Sequence, residues 1–490
     1  MLFNSYGFIF IYLPLVLLGF YPLARVNHQY AAGWLALASV FFYGYWNTAY
    51  IGLLLGSIVC NYSFGWWIVK AGVHSDAVGK KWLLIVAISA NLVLLTYYKY
   101  ANFFLGGVNR VVGNHWSLGD IVLPLGISFF TFTQIAFLVD TYQGKVKEYN
   151  FIHYVLFVTY FPHLIAGPIL HHKEMMPQFA QRNIYKINVK NMAAGLMFFT
   201  IGLSKKIILA DYLAGYADPV FEIAHGGVVP SLTASWIGAL AYTLQLYFDF
   251  SGYSDMAIGL SLMFNVRLPL NFHSPYKSVN IIEFWRRWHM TLSRFLRDYL
   301  YIPLGGNRKG KSRRYLNLMV TMVLGGLWHG AGWTFIIWGG LHGLYLMINH
   351  GWQVFKKNMG WGVGGWLAQG VAVSLTFVAV VVAWVFFRSQ GVASAKCMLA
   401  GMMGLSGVEG KIESTQILGV SIGFVIVFFL PNTQQLLNFN GLPARAKDMI
   451  FWTIARDSRS TAVLGVLFGV LACIATLLLS RSSTFLYFQF

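Results

Sequence analysis

Long apolar runs recur along almost the whole chain, and short polar stretches separate them. A helix needs about 20 predominantly apolar residues to cross a bilayer. The runs that meet or approach this length are 7–24, 31–48, 50–69, 82–105, 151–170, 190–210, 230–249, 316–330, 332–350, 364–387, 417–431 and 461–480. Together with partial spans, they predict about eleven to thirteen membrane-spanning helices.

Several apolar stretches carry helix-breaking residues. Pro124 interrupts the start of 120–142, which predicts a kinked or partial span. Gly167–Pro168 is expected to stop the helix of 151–170, and Ser251–Gly252 is expected to separate two helices. Segment 390–405 is short enough to be re-entrant. The middle of the chain is therefore predicted to contain broken helices, which are tolerated at membrane depth where they line a cavity or lie buried in protein.

Segment 281–303 differs from the apolar runs. Its tryptophans, phenylalanines and leucines alternate with arginines at helical spacing. This amphipathic pattern predicts a helix that lies in the membrane interface or dips into the bundle, and not a span.

The amino-acid composition supports the prediction of membrane-spanning helices. The chain has 490 residues, of which 57% are hydrophobic and 10% are charged, whereas soluble domains carry about 25% charged residues. We therefore predict an all-α, polytopic membrane protein with one membrane domain over residues 1–490 and a motif core at about 120–350. Gly7 to Leu23 is expected to be a retained first span, because no cleavage site follows it.

The net charge of +19 comes from basic residues that lie mainly in short loops. That distribution follows the positive-inside rule of membrane proteins, so nucleic acid is not an expected partner. The three cysteines, Cys60, Cys397 and Cys473, have no metal-ligand or disulfide spacing.

His329 is the only titratable residue in the apolar run from Leu316 to Trp338. An ionisable residue in such a run is a candidate functional site. The adjacent glycines, Gly326 and Gly330 among them, leave room for a ligand or for another backbone. Two interpretations remain open on the residues alone. His329 is a core histidine bonded to a neighbouring helix, or it is a base that deprotonates a hydroxyl attacking a thioester.

His289 lies in the amphipathic segment beside Trp288, Arg286 and Arg287. It is either an interfacial histidine among aromatic residues or a second polar group that orients or polarises the acyl carbonyl. The arginines belong to a basic cluster that extends to Arg314 and contains one acid, Asp298. Most of this cluster is expected to fix topology and contact anionic lipid, while one or two arginines are candidates to bind donor phosphates.

Asp249 and Asp255 lie in otherwise apolar sequence, together with Ser251 and Tyr253. They are candidates for a proton relay, although pairing with an arginine or capping a broken helix is the favoured interpretation. His171, His172 and Glu174 are possible metal ligands, but no metal site is expected, because they lie in a polar loop with no third partner at a fixed spacing.

At this point several motifs resemble one known family. They are YFPHLIAGPIL (160–170), LQLYFDFSGYSDMAIG (244–259), NFHSPYKSVNIIEFWRRWHMTLSRFLRDYLYIPLGGNRKG (271–310), LGGLWHGAGWTFIIWGGLHG (324–343) and FLYFQF (485–490). The chain resembles the membrane-bound O-acyltransferase (MBOAT) superfamily, and within it the bacterial alginate O-acetylation branch. The resemblance covers nearly the whole chain.

The resemblance implies a ring of helices around a tunnel that joins the two faces of a bacterial inner membrane. His329 would be the essential histidine, and His289 would occupy the second signature position. Acetyl-CoA would be the cytosolic donor, with no bound cofactor. The candidates for donor binding or tunnel lining are Trp288, Arg286, Arg287, Trp328, Asp249, Ser251, Tyr253, Asp255 and Asp298.

The expected partners are membrane lipids, a periplasmic or membrane-anchored polysaccharide acetyltransferase, and a polysaccharide synthase and export complex. The expected acceptor is an exported polysaccharide of the alginate or cellulose kind. Peptidoglycan, teichoic acid, a lipid or a protein hydroxyl are alternatives. A transporter without transferase chemistry is the alternative from another class, because intramembrane charges also mark permeation paths.

Overall fold

The computed structural model describes residues 1–73, 76–146, 149–360, 365–405, 413–437, 439, 458–481 and 483–486. Within these ranges the chain is helical and contains no strand, which confirms the predicted all-α class. The helices are α1 (Leu13–Val26), α2 (His28–Gly44), α3 (Ile51–Val73), α4 (Ala77–Leu95), α5 (Ala101–Val112), α6 (Ile127–Tyr142), α7 (Phe151–Thr159), α8 (His172–Phe179), α9 (Val189–Ser204), α10 (Asp211–His225), α11 (Leu232–Met263), α12 (Ile281–Arg287), α13 (Met290–Leu296), α14 (Lys311–His329), α15 (Trp333–Asn358), α16 (Trp366–Arg388), α17 (Val392–Met402), α18 (Ser414–Phe429), α19 (Thr433–Leu436) and α20 (Ser458–Leu477).

Five helical stretches of the described chain are long and apolar enough to cross a membrane. They are Gly7–Val26, Thr48–Val73, Ala77–Val112, Val189–His225 and Trp366–Arg388. Each overlaps a span predicted from the sequence. Two of these stretches contain two α-helices joined by a π-helical turn: Thr96–Tyr100 joins α4 and α5, and Lys205–Ala210 joins α9 and α10. The protein is therefore a multi-pass membrane protein, and the count of eleven to thirteen spans stays a prediction.

The described residues form two compact units. The first comprises Met1–Phe199 and Ser254–Pro269, and the second comprises Thr200–Tyr253 and the described residues from Leu270 onward. The histidine motifs lie wholly in the second unit. The prediction of one membrane domain over the whole chain is not tested by this division.

The predicted break at Ser251–Gly252 is wrong, because α11 runs without interruption from Leu232 to Met263, a length of 32 residues. A Cβ atom at Gly252 would lie 2.7 Å from the carbonyl oxygen of Gly202 and 3.2 Å from the Cβ of Lys205. The glycine therefore serves the close approach of a neighbouring helix and does not end its own.

Two other boundaries also differ from prediction. The helix of 151–170 ends at Thr159 and not at Gly167. Pro162 disfavours helical backbone at the residue before it, which accounts for the earlier end. The predicted break before α6 is confirmed, because the helix begins at Ile127 after Gly126, whose φ is +71°.

The polar loop predicted after residue 170 is also different in the structure. It contains the short helix α8, whose apolar face buries Met175, Met176 and Phe179. The i, i+4 spacing of Met175 and Phe179 places both side chains on the same face of the helix.

Candidate active site

A tight helical hairpin fixes the position of His329. The residue ends α14, and α15 begins four residues later at Trp333. A Cβ atom at Gly326 would lie 2.2 Å from the carbonyl oxygen of Phe335, and one at Gly339 would lie 2.3 Å from that of Met322. The two helices therefore pack backbone against backbone at these glycines, as small residues allow in membrane proteins.

Aromatic side chains surround the His329 imidazole, which is only 5% exposed. Its ring centroid lies 5.0 Å from that of Trp328, 5.2 Å from that of Trp338 and 5.2 Å from that of Phe387. All three contacts are edge-to-face. These rings keep bulk water away from the imidazole, and the exclusion of water strengthens electrostatic interactions within a site.

His289 lies where the amphipathic segment breaks. We expected one helix over 281–303, but α12 ends at Arg287 and α13 begins at Met290. His289 itself has a φ of +43°, a left-handed conformation that is uncommon for residues other than glycine. Backbone hydrogen bonds with residues 271–273 hold the break open. The Met290 N–H donates to the Asn271 carbonyl, and the His273 N–H donates to the Arg287 carbonyl, each at 2.9 Å.

Asn271 determines which nitrogen of His289 carries the proton. The Asn271 Oδ1 atom accepts from the backbone N–H of Thr291 at 3.3 Å and from its hydroxyl at 2.9 Å. An atom that accepts from a backbone N–H is an oxygen, so the Nδ1 atom of His289, 3.0 Å away, must be the donor. The Nε2 atom of a neutral His289 then carries a lone pair.

Burial keeps this imidazole neutral. His289 is completely buried, and desolvation lowers its pKa to about 3. With Nδ1 protonated, the Nε2 atom can accept a hydrogen bond or a proton. This tautomer fits an orienting role for His289, but it supplies no N–H at Nε2 to polarise a carbonyl.

The structure brings the two predicted histidines together. Their ring centroids are 6.3 Å apart, and the Trp328 indole lies 6.2 Å from His289 and 5.0 Å from His329. The Phe250 ring of α11 also packs edge-to-face against His289, with ring centroids 4.8 Å apart. Two imidazoles enclosed by aromatic rings are therefore candidates for proton transfer to or from a small reacting group.

A cavity of 510 Å³ lies beside this site in the same unit. Its wall contains three arginines, Arg286, Arg294 and Arg297, together with Trp285 and Met290, the residue after His289. Arginine side chains favour phosphate and carboxylate groups. The cavity is therefore a candidate to hold the anionic part of a donor.

The other predicted residues of this segment have different surroundings. Arg287 pairs with Glu283 at 2.6 Å, and Asp298 pairs with Arg297 at 2.7 Å. Trp288 is buried among aromatic rings, 5.0 Å from both Phe272 and Trp384. None of Arg287, Trp288 and Asp298 is among the described residues that line the cavity.

The Asp249 carboxylate lies in a buried ion-pair cluster. It accepts from the Lys206 ammonium at 2.7 Å and from the Leu486 N–H at 3.1 Å, and Lys206 also pairs with Asp211 at 2.8 Å. The prediction of an arginine as its partner is wrong for Asp249, because the paired cation is the lysine Lys206. The predicted capping of a broken helix is wrong, because α11 is continuous there.

The remaining candidates on α11 are also buried. Ser251 and Tyr253 are each 2% exposed, and the Tyr253 ring packs edge-on against Phe485 at 4.9 Å. Asp255 is 1% exposed and belongs to the first unit.

The described residues contain no group of three or more potential metal ligands. His171 and His172, which were considered for a metal site, are buried, and His172 lies 3.2 Å from the Asp140 carboxylate. Sequence reasoning missed three residues: Asn271, Lys206 and His342. His342 is a further buried histidine, and both it and His329 contact Trp338. Asn271 and His342 lie within the motifs quoted above, but no spacing rule links them to His289 or His329.

The spanning helices define a multi-pass membrane protein, and the buried pair of imidazoles is its candidate active site. A sequence model of the MBOAT, membrane-bound O-acyltransferase family matches residues 141–387, which include both histidines. The chain belongs to this family and is an O-acyltransferase. The transporter alternative is therefore set aside.

Several relatives are similar over most of the chain. The peptidoglycan O-acetyltransferase of Helicobacter pylori is 45% identical over 84% of this chain and 81% of its own. The "Probable alginate O-acetylase AlgI" of Pseudomonas aeruginosa is 41% identical over 88% of this chain and 80% of its own. The teichoic acid D-alanyltransferase of Streptococcus thermophilus is 29% identical over 48% of this chain and 59% of its own.

Proposed function

We propose that this O-acyltransferase passes an acetyl group from cytosolic acetyl-CoA to a hydroxyl of a polysaccharide outside the bacterial inner membrane. The transfer is direct or goes through a periplasmic partner acetyltransferase. The observation that carries the proposal is the buried pair of imidazoles, 6.3 Å apart. The relatives at 45% and 41% identity, a peptidoglycan O-acetyltransferase and a probable alginate O-acetylase, support acetyl as the group and a glycan as the acceptor.

In the proposed reaction, His329 removes the proton of the acceptor hydroxyl as its oxygen attacks the thioester carbonyl carbon. The new carbon–oxygen bond forms, and the carbon–sulfur bond breaks. The departing thiolate takes the proton from His329 and leaves as coenzyme A. The reaction needs no metal or redox partner to balance.

His289 is proposed to orient this proton transfer. Its Nε2 lone pair can accept a hydrogen bond from the attacking hydroxyl or from the protonated His329 ring. Asn271 and the left-handed backbone hold the His289 ring in place. Such preorganisation lowers the cost of aligning the reacting groups.

The arginine-lined cavity is proposed to hold the donor. Arg286, Arg294 and Arg297 line it, and the basic segment that follows, from Arg308 to Arg314, has the charge expected on the cytosolic side. This arrangement supports a donor that arrives from the cytosol with its phosphates near the arginines. Only the small acetyl group would then need to pass outward.

The first test is the acetyl-ester content of exported polysaccharide from cells with matched membrane levels of each variant. His329→Ala is expected to lose essentially all esters, and His289→Ala is expected to lose most of them. His115→Ala changes an exposed histidine and serves as the control. Normal acetylation with His329→Ala would overturn the proposed role of this residue.

The second test concerns the donor and the side from which it acts. Inside-out membrane vesicles expose the cytosolic face, so radiolabelled acetyl-CoA is expected to label glycan only with vesicles of that orientation. Equal labelling in sealed right-side-out vesicles would contradict a cytosolic donor.

A peptidoglycan acceptor is the second candidate, because the relative at 45% identity is a peptidoglycan O-acetyltransferase. Ester analysis of purified peptidoglycan and of exported polysaccharide from the same cells separates the two. Loss of esters with His329→Ala in only one of these fractions identifies the acceptor. Co-purification of a polysaccharide synthase and export complex would further support the exported polysaccharide.

A further inference from the structure

His342 is a buried histidine close to the candidate active site, and the proposed chemistry does not use it. It lies on α15 and is completely buried. Its ring lies 4.8 Å from the Trp338 indole, and the His329 ring lies 5.2 Å from the same indole. The Trp338 indole therefore contacts the rings of both histidines, so one side chain separates His342 from the proposed base.

A hydrogen bond connects His342 to the donor cavity. The Trp285 indole N–H donates to the Nδ1 atom of His342 at 3.3 Å. An indole nitrogen is only a donor, so Nδ1 is the acceptor and the neutral ring carries its proton on Nε2. Trp285 is also part of the wall of the 510 Å³ cavity. His342 thus determines how this wall residue is held.

Packing alone does not account for a histidine at this position. The Nε2 atom of His342 is buried and has no hydrogen-bond partner within the described part of the chain. Leaving a buried donor unsatisfied is unfavourable, whereas a phenylalanine would fill a similar volume without that cost. Residues that break a stability rule in this way are expected at functional sites.

We propose that His342 is a positioning residue for the acyl donor. Through Nδ1 it fixes the Trp285 indole in the cavity wall, and through Trp338 it connects that wall to His329. The inference rests on the proposed function, because it assigns the cavity to the donor. Loss of this hydrogen bond lets the Trp285 ring rotate and weakens donor binding, while the two reacting histidines keep their places.

The test compares His342→Phe with His342→Asn in the purified protein in lipid nanodiscs. Asparagine places an acceptor oxygen near the position of Nδ1, whereas phenylalanine keeps the ring and removes the acceptor. The probe is acetyl-CoA with the acceptor fraction identified above. His342→Phe is expected to raise the KM for acetyl-CoA about tenfold with kcat changed less than threefold, and His342→Asn is expected to restore most of the affinity.

A double-mutant cycle with Trp285→Phe makes the test specific. If the two residues act as one unit, the double variant has nearly the same KM as either single variant. Additive effects on KM would overturn the proposed link, and so would an unchanged KM in His342→Phe. A merely structural role predicts instead a lower melting temperature and a lower kcat at unchanged KM.

The failure of this inference can be distinguished from failure of the proposed function. If the wild-type protein shows no dependence on acetyl-CoA, the donor assignment is wrong. If the wild type depends on acetyl-CoA and His342→Phe matches it, only the positioning role is wrong.

Discussion

Replacing Asn271 by leucine tests whether the tautomer of His289 matters for catalysis. The Asn271 side-chain oxygen accepts three hydrogen bonds, from His289 Nδ1 and from the N–H and hydroxyl of Thr291. Leucine has a similar volume but accepts none. The His289 ring then loses the contact that holds its proton on Nδ1, and the position of its Nε2 lone pair is no longer fixed.

The size of the effect follows from the buried donors that lose their acceptor. A buried donor without a partner costs about 1–3 kcal/mol, although Thr291 and His289 can relax in part. We expect the activation free energy of acetyl transfer to rise by about 2–3 kcal/mol, which corresponds to a rate about 30- to 150-fold lower. The thermal stability of the protein is expected to fall as well.

The assay is the rate of acetyl transfer from acetyl-CoA by the protein in nanodiscs, with melting temperature measured on the same samples. Asn271→Asp is the matched variant, because it keeps an acceptor oxygen at the same position. It is expected to retain far more activity than Asn271→Leu. If Asn271→Leu transfers acetyl groups within twofold of the wild-type rate, a fixed tautomer of His289 is not required.

Three further predictions concern charge. Arg286→Gln is expected to raise the KM for acetyl-CoA several-fold, whereas Arg287→Gln is expected to have little effect, and equal effects in a transfer assay would contradict the cavity assignment. Lys206→Met leaves the Asp249 carboxylate buried without its lysine and should cost about 3–5 kcal/mol, and an unchanged melting temperature would argue against this cluster. The pKa of His289 falls from 6.5 to about 3 on folding, so the unfolded chain binds more protons below pH 6.5. His289 alone should therefore lower stability by about 2 kcal/mol from pH 7 to pH 5, and His289→Gln should remove this part of the pH dependence in thermal melts.

The sequence alone predicted the helical membrane class, because long apolar runs need only local information to be recognised. It also singled out His329, since an ionisable residue in an apolar run stands out without any knowledge of its neighbours. His289 was a weaker candidate, because aromatic and basic neighbours fit an interfacial helix equally well. The motif resemblance selected the functional interpretation, and the structure places the two rings beside each other.

The protonation pattern of the site could not be predicted, because it depends on contacts between residues far apart in the chain. His289 takes its tautomer from Asn271, 18 residues earlier, and Asp249 takes its charge partner from Lys206, 43 residues earlier. The sequence separation of neither pair indicates that its two residues are in contact.

Gly252 also shows that the end of a helix depends on contacts with other helices. The sequence assigned Gly252 to a helix break, since glycine disfavours helix interiors. The tertiary structure uses Gly252 for the close approach of another helix, and α11 continues through it. Local propensity is a weak term of about 1 kcal/mol for a glycine, so the packing of neighbouring helices decides where a helix ends. The sequence thus determined which long apolar segments are helical and which histidine is exceptional. Tertiary packing decided where the helices break, which nitrogens carry protons and which charges are paired.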